Sequence, residues 1–484
     1  MAEGAAVVLD RRRRVIVLLV CCMSILIVGM DVTIVNVALP AVAHDFHTSV
    51  SGLQWVVDAY VVVLASLLML AGSSADRWGR RRTLQAGLSL FTAGSLLCSL
   101  APSLGWLIAF RMVQAVGGSM LTPVAMSIIR NVFDDPRERA QAIGLWGATV
   151  GVSIALGPVL GGVLVQSVGW RSIFWVNIPI GLSAIALAAR VVPESRAPHP
   201  RRLDPVGQFL VIAVLGSLTF AIIEGPRLGW HSVSIVGPGA VGLAGVVGIL
   251  LYEPRRTEPL LELGFFRSVP FSGATLVAVT ASAAFSGYLF LNTLYLQEVR
   301  GFSALDAGLM TLPMAAMTLA MSPLSGWLVG RFGARPPLVL AGGALTAGAL
   351  MLTGLASSTP YAWLVASYFI FGIGFGMVNP PVTFTAVTGM PSAQAGVAAA
   401  IASTSRQVGQ ALGVAVVGVA ATAGIVGSFG RSFARASHPG WWIIAGCSAT
   451  VLILGIVTTS RWAVGTAWIA PPSPSSTAPA PAPN

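Results

Sequence analysis

Residues 72–84 read GSSADRWGRRRTL and lie between two long apolar runs. Four arginines and one aspartate fall at positions 76–82 of a chain in which only 9% of residues are charged. The first ten residues have a gapless echo further on, GWLVGRFGAR at 326–335. Gly72 aligns with Gly326, Arg77 with Arg331, Gly79 with Gly333 and Arg81 with Arg335, while Gly330 stands opposite Asp76. Each copy closes one apolar run and opens the next. A charged turn repeated in matching places points to duplicated halves, as in transporters built from repeats.

The apolar runs set the class. The chain has 484 residues, 55% of them hydrophobic, and a mean hydropathy of +0.82. Soluble domains carry about 25% charged residues. Stretches of 18 or more apolar residues recur from end to end, long enough to cross a ~30 Å hydrocarbon layer. Charged and Pro/Gly punctuation divides the chain into fourteen spans: 15–39, 52–72, 83–101, 104–128, 140–165, 171–190, 205–224, 232–252, 269–297, 304–328, 337–356, 361–385, 396–424 and 440–461. The expected fold class is therefore an all-α polytopic membrane protein with 14 transmembrane helices. With six spans to a half, one six-helix bundle covers 15–190 and the other 269–461. Spans seven and eight (205–252) then form an inserted two-helix hairpin. Residues 1–14 form a basic N-terminus, and 470–484, rich in Pro, Ala and Ser, are expected to be disordered.

Arginine bias orients the chain. All 28 basic residues are arginine and the net charge is +11. With the N-terminus inside, 21 arginines fall on cytoplasmic segments and five outside, with Arg111 and Arg406 inside spans. Cationic loops stay on the cytoplasmic side, so both termini are expected there, and no nucleic-acid partner is needed to explain the charge. Arginine without lysine points to a GC-rich bacterial genome, hence to the bacterial cell (inner) membrane. The apolar run after Arg14 exceeds the roughly 7–15 residues of a signal-peptide core and reads as the first span. Cys21, Cys22, Cys98 and Cys447 show no metal or redox spacing, so no metal, cofactor or disulfide is expected. The bilayer is the expected surrounding partner, and a monomer is expected.

Fourteen spans with GSSADRWGRRR after the second resemble the major facilitator superfamily, specifically its fourteen-span drug:proton antiporter branch. The resemblance runs through RMVQAVGG (111–118) in span 4, GVSIALGPVLGG (151–162) in span 5 and MDVTIVNVALP (30–40) in span 1. WRSIFWVNIPIG (170–181) and SRQVGQALG (405–413) are also typical of it. Ser74 replaces the usual leucine of the loop motif, and Ala115 the usual glycine after Gln114. The resemblance implies the major-facilitator fold, and the span-1 aspartate and span-4 arginine as coupling residues.

A charge at mid-bilayer costs from ~2.5 to more than 10 kcal/mol, so those retained are functional candidates. At 1.5 Å per residue Asp31 lies ~25 Å past Arg14, Asp58 ~9 Å below the outer end of span 2 and Arg111 ~10 Å below that of span 4. The three converge in the outer half. Asp31 or Asp58 is expected to exchange a proton, tuned by Arg111, because burial disfavours a carboxylate and a nearby guanidinium favours it. A static ion pair is the other reading of the same residues. The resemblance places Asp31 and Arg111 ahead of Asp58.

Gly151, Gly157, Gly161 and Gly162 with Pro158 suit a close, bendable helix contact in span 5, as a gate requires. The loop residues Gly72, Asp76, Arg77, Gly79, Arg80 and Arg81 read as a latch between conformations, or as a topogenic anchor. Candidate cavity residues are Asn36 and Trp146 in the first half, and Tyr288, Asn292, Tyr295, Asn379, Phe384 and Arg406 in the second. Glu224 reads as an exposed loop acid near Arg227. No HExxH, GxSxG or Walker loop points to an enzyme, and no filter-like loop to a channel. The expected function is proton-coupled export of hydrophobic, cationic or aromatic small molecules by alternating access. The alternatives are a dedicated exporter or symporter of a single metabolite or antibiotic and, more remotely, a non-transport membrane protein.

Overall fold

The computed structural model describes residues 10–197, 203–256, 258–388, 390, 392–424 and 429–466; the tail at 470–484 lies outside them. Helices account for every long element, and no strand occurs among the described residues. In chain order they are α1 (Arg11–Phe46), α2 (Val50–Trp78), α3 (Arg80–Ser99), α4 (Leu104–Val132), α5 (Pro136–Ser167), α6 (Ser172–Trp175), α7 (Asn177–Val191), α8 (Pro205–Leu228) and α9 (Val233–Tyr252). Then come α10 (Val269–Leu294), α11 (Ala304–Met310), α12 (Leu312–Phe332), α13 (Arg335–Leu350), α14 (Tyr361–Val387), α15 (Ser392–Thr422), α16 (Phe429–Ala436), α17 (His438–Thr458) and α18 (Arg461–Gly465).

Local chemistry starts and stops these helices. The Asp10 carboxylate accepts from Arg13 N at 2.8 Å, Asp135 from Glu138 N at 2.9 Å and Asp204 from Gly207 N at 3.0 Å. Each satisfies a backbone donor that the first turn leaves free. Pro136 and Pro205 open the helices behind two of these caps, where proline's missing N–H costs nothing. Gly79 ends α2 at φ +115° and Gly333 ends α12 at φ +79°, so the two copies of the repeated turn share a backbone conformation that suits glycine.

Among the described residues, eleven helical stretches are long and apolar enough to cross a membrane, judged by length and composition. Three of the spans read from the sequence meet helices outside that set. α3 opens on Arg80–Arg82, α13 has 16 residues, and α15 carries the polar run STSRQVGQ at its middle. Two other spans are each built from two helices: α6 and α7 join at Val176, and α11 and α12 at Thr311 just before Pro313. The short α16, between spans 13 and 14, was not anticipated.

Packing sorts the helices into two groups. α1 packs with α4, α5 and α7, and α3 and α2 pack on α4. α10 packs with α15, α17 and α14, while α13 packs on α14 and α17 and α12 on α14. Between the groups run three seams: α2 on α15, α5 on α11 and α12, and α1 on α10 and α11. The α8–α9 pair joins through α8, which touches both α2 and α15. Gln54 Nε2 donates to the Val414 and Ala415 carbonyls at 3.0 and 2.8 Å, and Gln297 Nε2 to the Val37 carbonyl at 2.9 Å. These cross-group bonds lie towards the end of the molecule opposite the arginine-rich turn.

Candidate functional site

Asp31 and Arg111 form a buried ion pair through Oδ2 and a guanidinium nitrogen, at 0% and 1% exposure. The pair is embedded in a network drawn from six helices, α1, α2, α3, α4, α6 and α7. Arg111 Nε donates to the Val56 carbonyl at 3.2 Å, and a guanidinium nitrogen donates to Gln114 Oε1 at 2.9 Å. Gln114 Nε2 donates to Asp31 Oδ1 at 2.8 Å. Asn177 Nδ2 donates to Ser95 Oγ at 3.0 Å and reaches Asp31 Oδ1 at 3.4 Å, and Ser95 Oγ donates to the Phe174 carbonyl at 2.9 Å. Beneath the guanidinium lies the Tyr60 ring, 4.2 Å from Cζ to the centroid. Gln114 sits one helical turn beyond Arg111, so both reach the same carboxylate. Asn177 joins because the break at Val176 swings α7 over α1 and α3; the sequence shows its motif but not its role.

Asp58 is also 0% exposed, and both carboxyl oxygens are buried without a hydrogen-bond partner among the described residues. Its place follows from helix register. Gln54, one turn earlier, bonds to residues 414 and 415 of α15, and Val62, one turn later, lines the same small void as Val408 and Ala411. Asp58 therefore lies on the α2 face that meets α15, at the seam between the groups. Among the described residues no hydrogen bond or ion pair offsets a negative charge there.

The charged turn is tied to its own group of helices. Arg80 donates to Asp76 Oδ1 at 3.1 Å. Glu194 accepts from Arg81 N at 3.2 Å and stands within 4 Å of the Arg81 and Arg82 guanidinium groups. Backbone bonds from Arg80 N to Ser195 O and from Ala197 N to Asp76 O fix the segment after α7 against the turn. Arg77 is exposed, and Gly72 sits 3.8 Å below Pro123 of α4, measured from an added Cβ.

α5 is pressed from two sides. A Cβ on Gly157 would stand 1.9 Å from Thr33 Oγ1 and one on Gly161 2.8 Å from Ile34, both on α1. Facing the other way, a Cβ on Gly162 would meet the Ala304 carbonyl at 2.6 Å and one on Gly151 would meet Leu319 at 2.7 Å. The Pro158 carbonyl lies against Gly308. The small residues thus serve a contact within one group and a seam with the other.

A sequence model described as Major Facilitator Superfamily matches residues 21–414. This chain belongs to the major facilitator superfamily. It is 38% identical over 396 residues to the multidrug resistance protein Stp of Mycobacterium tuberculosis, covering 82% of this chain and 74% of that protein. It is 35% identical over 419 residues to the tetracenomycin C resistance and export protein of Streptomyces glaucescens, covering 86% and 78%. Among solved structures, a bacterial homolog of the human lysosomal transporter Spinster superposes with a TM-score of 0.63 at 18% identity, covering 95% and 98% of the two chains. The peptide transporter POT in complex with sulfate gives 0.66 at 15% identity over 91% and 93%. At those identities the likeness is one of fold.

Within this major-facilitator chain the expected cavity residues scatter. Tyr288 and Tyr295 are fully buried in the second group. Tyr288 stacks on Phe371 at 4.6 Å and meets Tyr368 and Trp441 edge-on, while Tyr295 donates its hydroxyl to the Ala356 carbonyl at 2.7 Å. Asn292 is buried and accepts from the Tyr368 hydroxyl. These polar aromatics fit the core because each also meets another ring or a carbonyl. Asn379 and Phe384 are exposed on the last turns of α14. Asn36 Nδ2 donates to the Val32 carbonyl of its own helix, and its Oδ1 is buried without a partner, as is Trp146 Nε1. Arg406 is half-buried and carries no hydrogen bond or ion pair among the described residues. Glu224 differs from expectation. It is 7% exposed and accepts from Trp55 Nε1 at 2.9 Å as well as from Arg227 at 2.7 Å, docking α8 on α2.

Proposed function

We propose that this chain is a proton-coupled secondary exporter of hydrophobic small molecules, cationic or aromatic, working by alternating access. The relatives named for multidrug resistance and for tetracenomycin C resistance and export support the cargo class. In this reading fourteen spans cross a bacterial cell membrane as a monomer with both termini in the cytoplasm. Residues 15–190 and 269–461 form the two moving bundles, and the hairpin at 205–252 rides on α2 through Glu224 and Gln208, whose amide bonds to the Ser66 carbonyl. The arginine-rich end is cytoplasmic, so the seams joined by Gln54 and Gln297 close the outer side and the arrangement faces inward.

The observation that carries this reading is the contrast between two buried carboxyls. Asp31 is held by a cation and two amides, whereas Asp58 is held by nothing and sits where the bundles part. Rocking the bundles opens the α2–α15 seam to the outside, where Asp58 takes up a proton; closing the seam carries it inward. Asp31 and Arg111 answer on the cavity side, their pairing loosening when cargo binds. In the outward-facing state Asp76 exchanges Arg80 for a partner on the second bundle, which makes the turn a latch.

Everted vesicles energised with lactate provide the test, with ethidium as cargo. Accumulation should appear with the wild-type chain and vanish when nigericin collapses the proton gradient. Asp31→Asn and Asp58→Asn should insert normally and lose at least tenfold of it. Accumulation that survives nigericin, or full coupled uptake in both variants, overturns the proposal.

A further inference from the structure

We propose that Arg406 is the core of an anion-recognition site, so that the preferred cargo is an amphipathic molecule bearing an acid group. This deepens the exporter reading and rests on it. Arg406 is 14 residues into α15 and ~24 Å short of its far end, hence at mid-membrane depth. The sequence contains no aspartate or glutamate after Asp306, which lies near the far end. The two acids in the spans of the second bundle, Glu298 and Asp306, both lie near the far end, and neither bonds to Arg406. Across the interior, Asp31 is paired with Arg111, and Asp58, on the α2 face at the α15 seam, makes no bond to Arg406.

The helix face points the side chain inward. A Cβ on Gly409 or Gly413 would stand 2.2 or 2.3 Å from the Val279 or Ala283 carbonyl, so those positions abut α10. Val414 and Ala415 meet Gln54 of α2. Arg406 and Gln410, about 40° apart on the helix, project into the wedge between α10 and α2. On that face Gln410 Oε1 is buried without a partner among the described residues. A carboxamide can present either its oxygen or its NH2, with no change of shape. The pair therefore offers an anion one guanidinium fork and one amide. A guanidinium matches a carboxylate or sulfonate through two parallel bonds, and in an apolar setting an unpaired cation is costly. The cargo's own acid group removes that cost when it binds.

The test uses a matched pair of probes on the purified full-length chain, N-dansylphenylalanine and its carboxamide, which differ in the acid group. The wild type should bind the acid about tenfold more tightly or better, as charge-assisted bonding implies. Arg406→Gln should erase that preference while leaving amide binding within about twofold, which also reports a folded protein, and Arg406→Lys should keep part of it. No preference in the wild type, or a preference that persists in Arg406→Gln, overturns the proposal. So does equal loss of both probes in Arg406→Gln and Arg406→Lys, because the residue then positions helices. The two readings fail separately. Acid preference without gradient-driven accumulation of either ethidium or N-dansylphenylalanine sinks the exporter and leaves the site, whereas accumulation without acid preference sinks the site alone.

Discussion

At the scale of single residues, the Asp31–Arg111 pair separates a coupling role from a structural one. Removing one member of a buried pair strands the other and costs about 3–5 kcal/mol in soluble proteins. Asp31→Asn and Arg111→Gln should each lower the melting temperature of the purified chain. The double variant Asp31→Asn/Arg111→Gln, with no stranded charge, should regain most of that stability yet remain inactive in vesicles. Recovery of transport along with stability would mean that the pair only holds helices together. Depth arithmetic along each span is enough to place Asp31 and Arg111 at one level, because an α-helix rises by a constant amount per residue. It does not show Gln114 bridging them, nor Asn177 reaching over from α7, since those depend on how helices rotate about their own axes. The same blindness explains Tyr288 and Tyr295, whose burial depends on how their segment is turned against its neighbours.

At the scale of elements, the repeated turn makes an asymmetric prediction. Both Gly79 and Gly333 have positive φ, so alanine at either costs on the order of 1–3 kcal/mol of backbone strain. At Gly79 the new Cβ would also stand 2.4 Å from Glu194 Oε1, whereas nothing lies within 4 Å at Gly333. Gly79→Ala should therefore depress the melting temperature more than Gly333→Ala. An equal or reversed effect would count against Glu194 as the clasp of the first turn. α5 offers a second check. Gly162→Leu drives a side chain into Ala304 and Leu305 at the seam, so it should hold the far end apart. Increased labelling by a membrane-impermeant maleimide of a cysteine placed at Leu305 is the expected readout. The spacing of small residues announces close helix contact in span 5, but not which glycines face α1 and which face α11.

At the scale of the whole molecule, the chain is two helical groups that touch along three seams, with α8 and α9 resting against one of them. Alternating access requires the α2–α15 seam to part. With the four native cysteines replaced, cysteines at Gln54 and Val414 joined by a short bismaleimide should stop ethidium accumulation. Either single cysteine treated in the same way should not. Unimpaired transport in the joined protein would mean that this seam stays closed through the cycle.

The sequence by itself determined the class, the order of the apolar segments, the repeated turn and the presence of unaffordable charges inside spans. Those follow from composition, periodicity and the rise of a helix, all local or additive quantities. Only the tertiary structure decided which charges have partners. Asp31 acquired three, Glu224 became a buried tie for α8, and Asp58 and Arg406 were left without any among the described residues. Pairing depends on the rotation and register of helices far apart in the chain, set by side-chain packing across seams, and no local pattern encodes it.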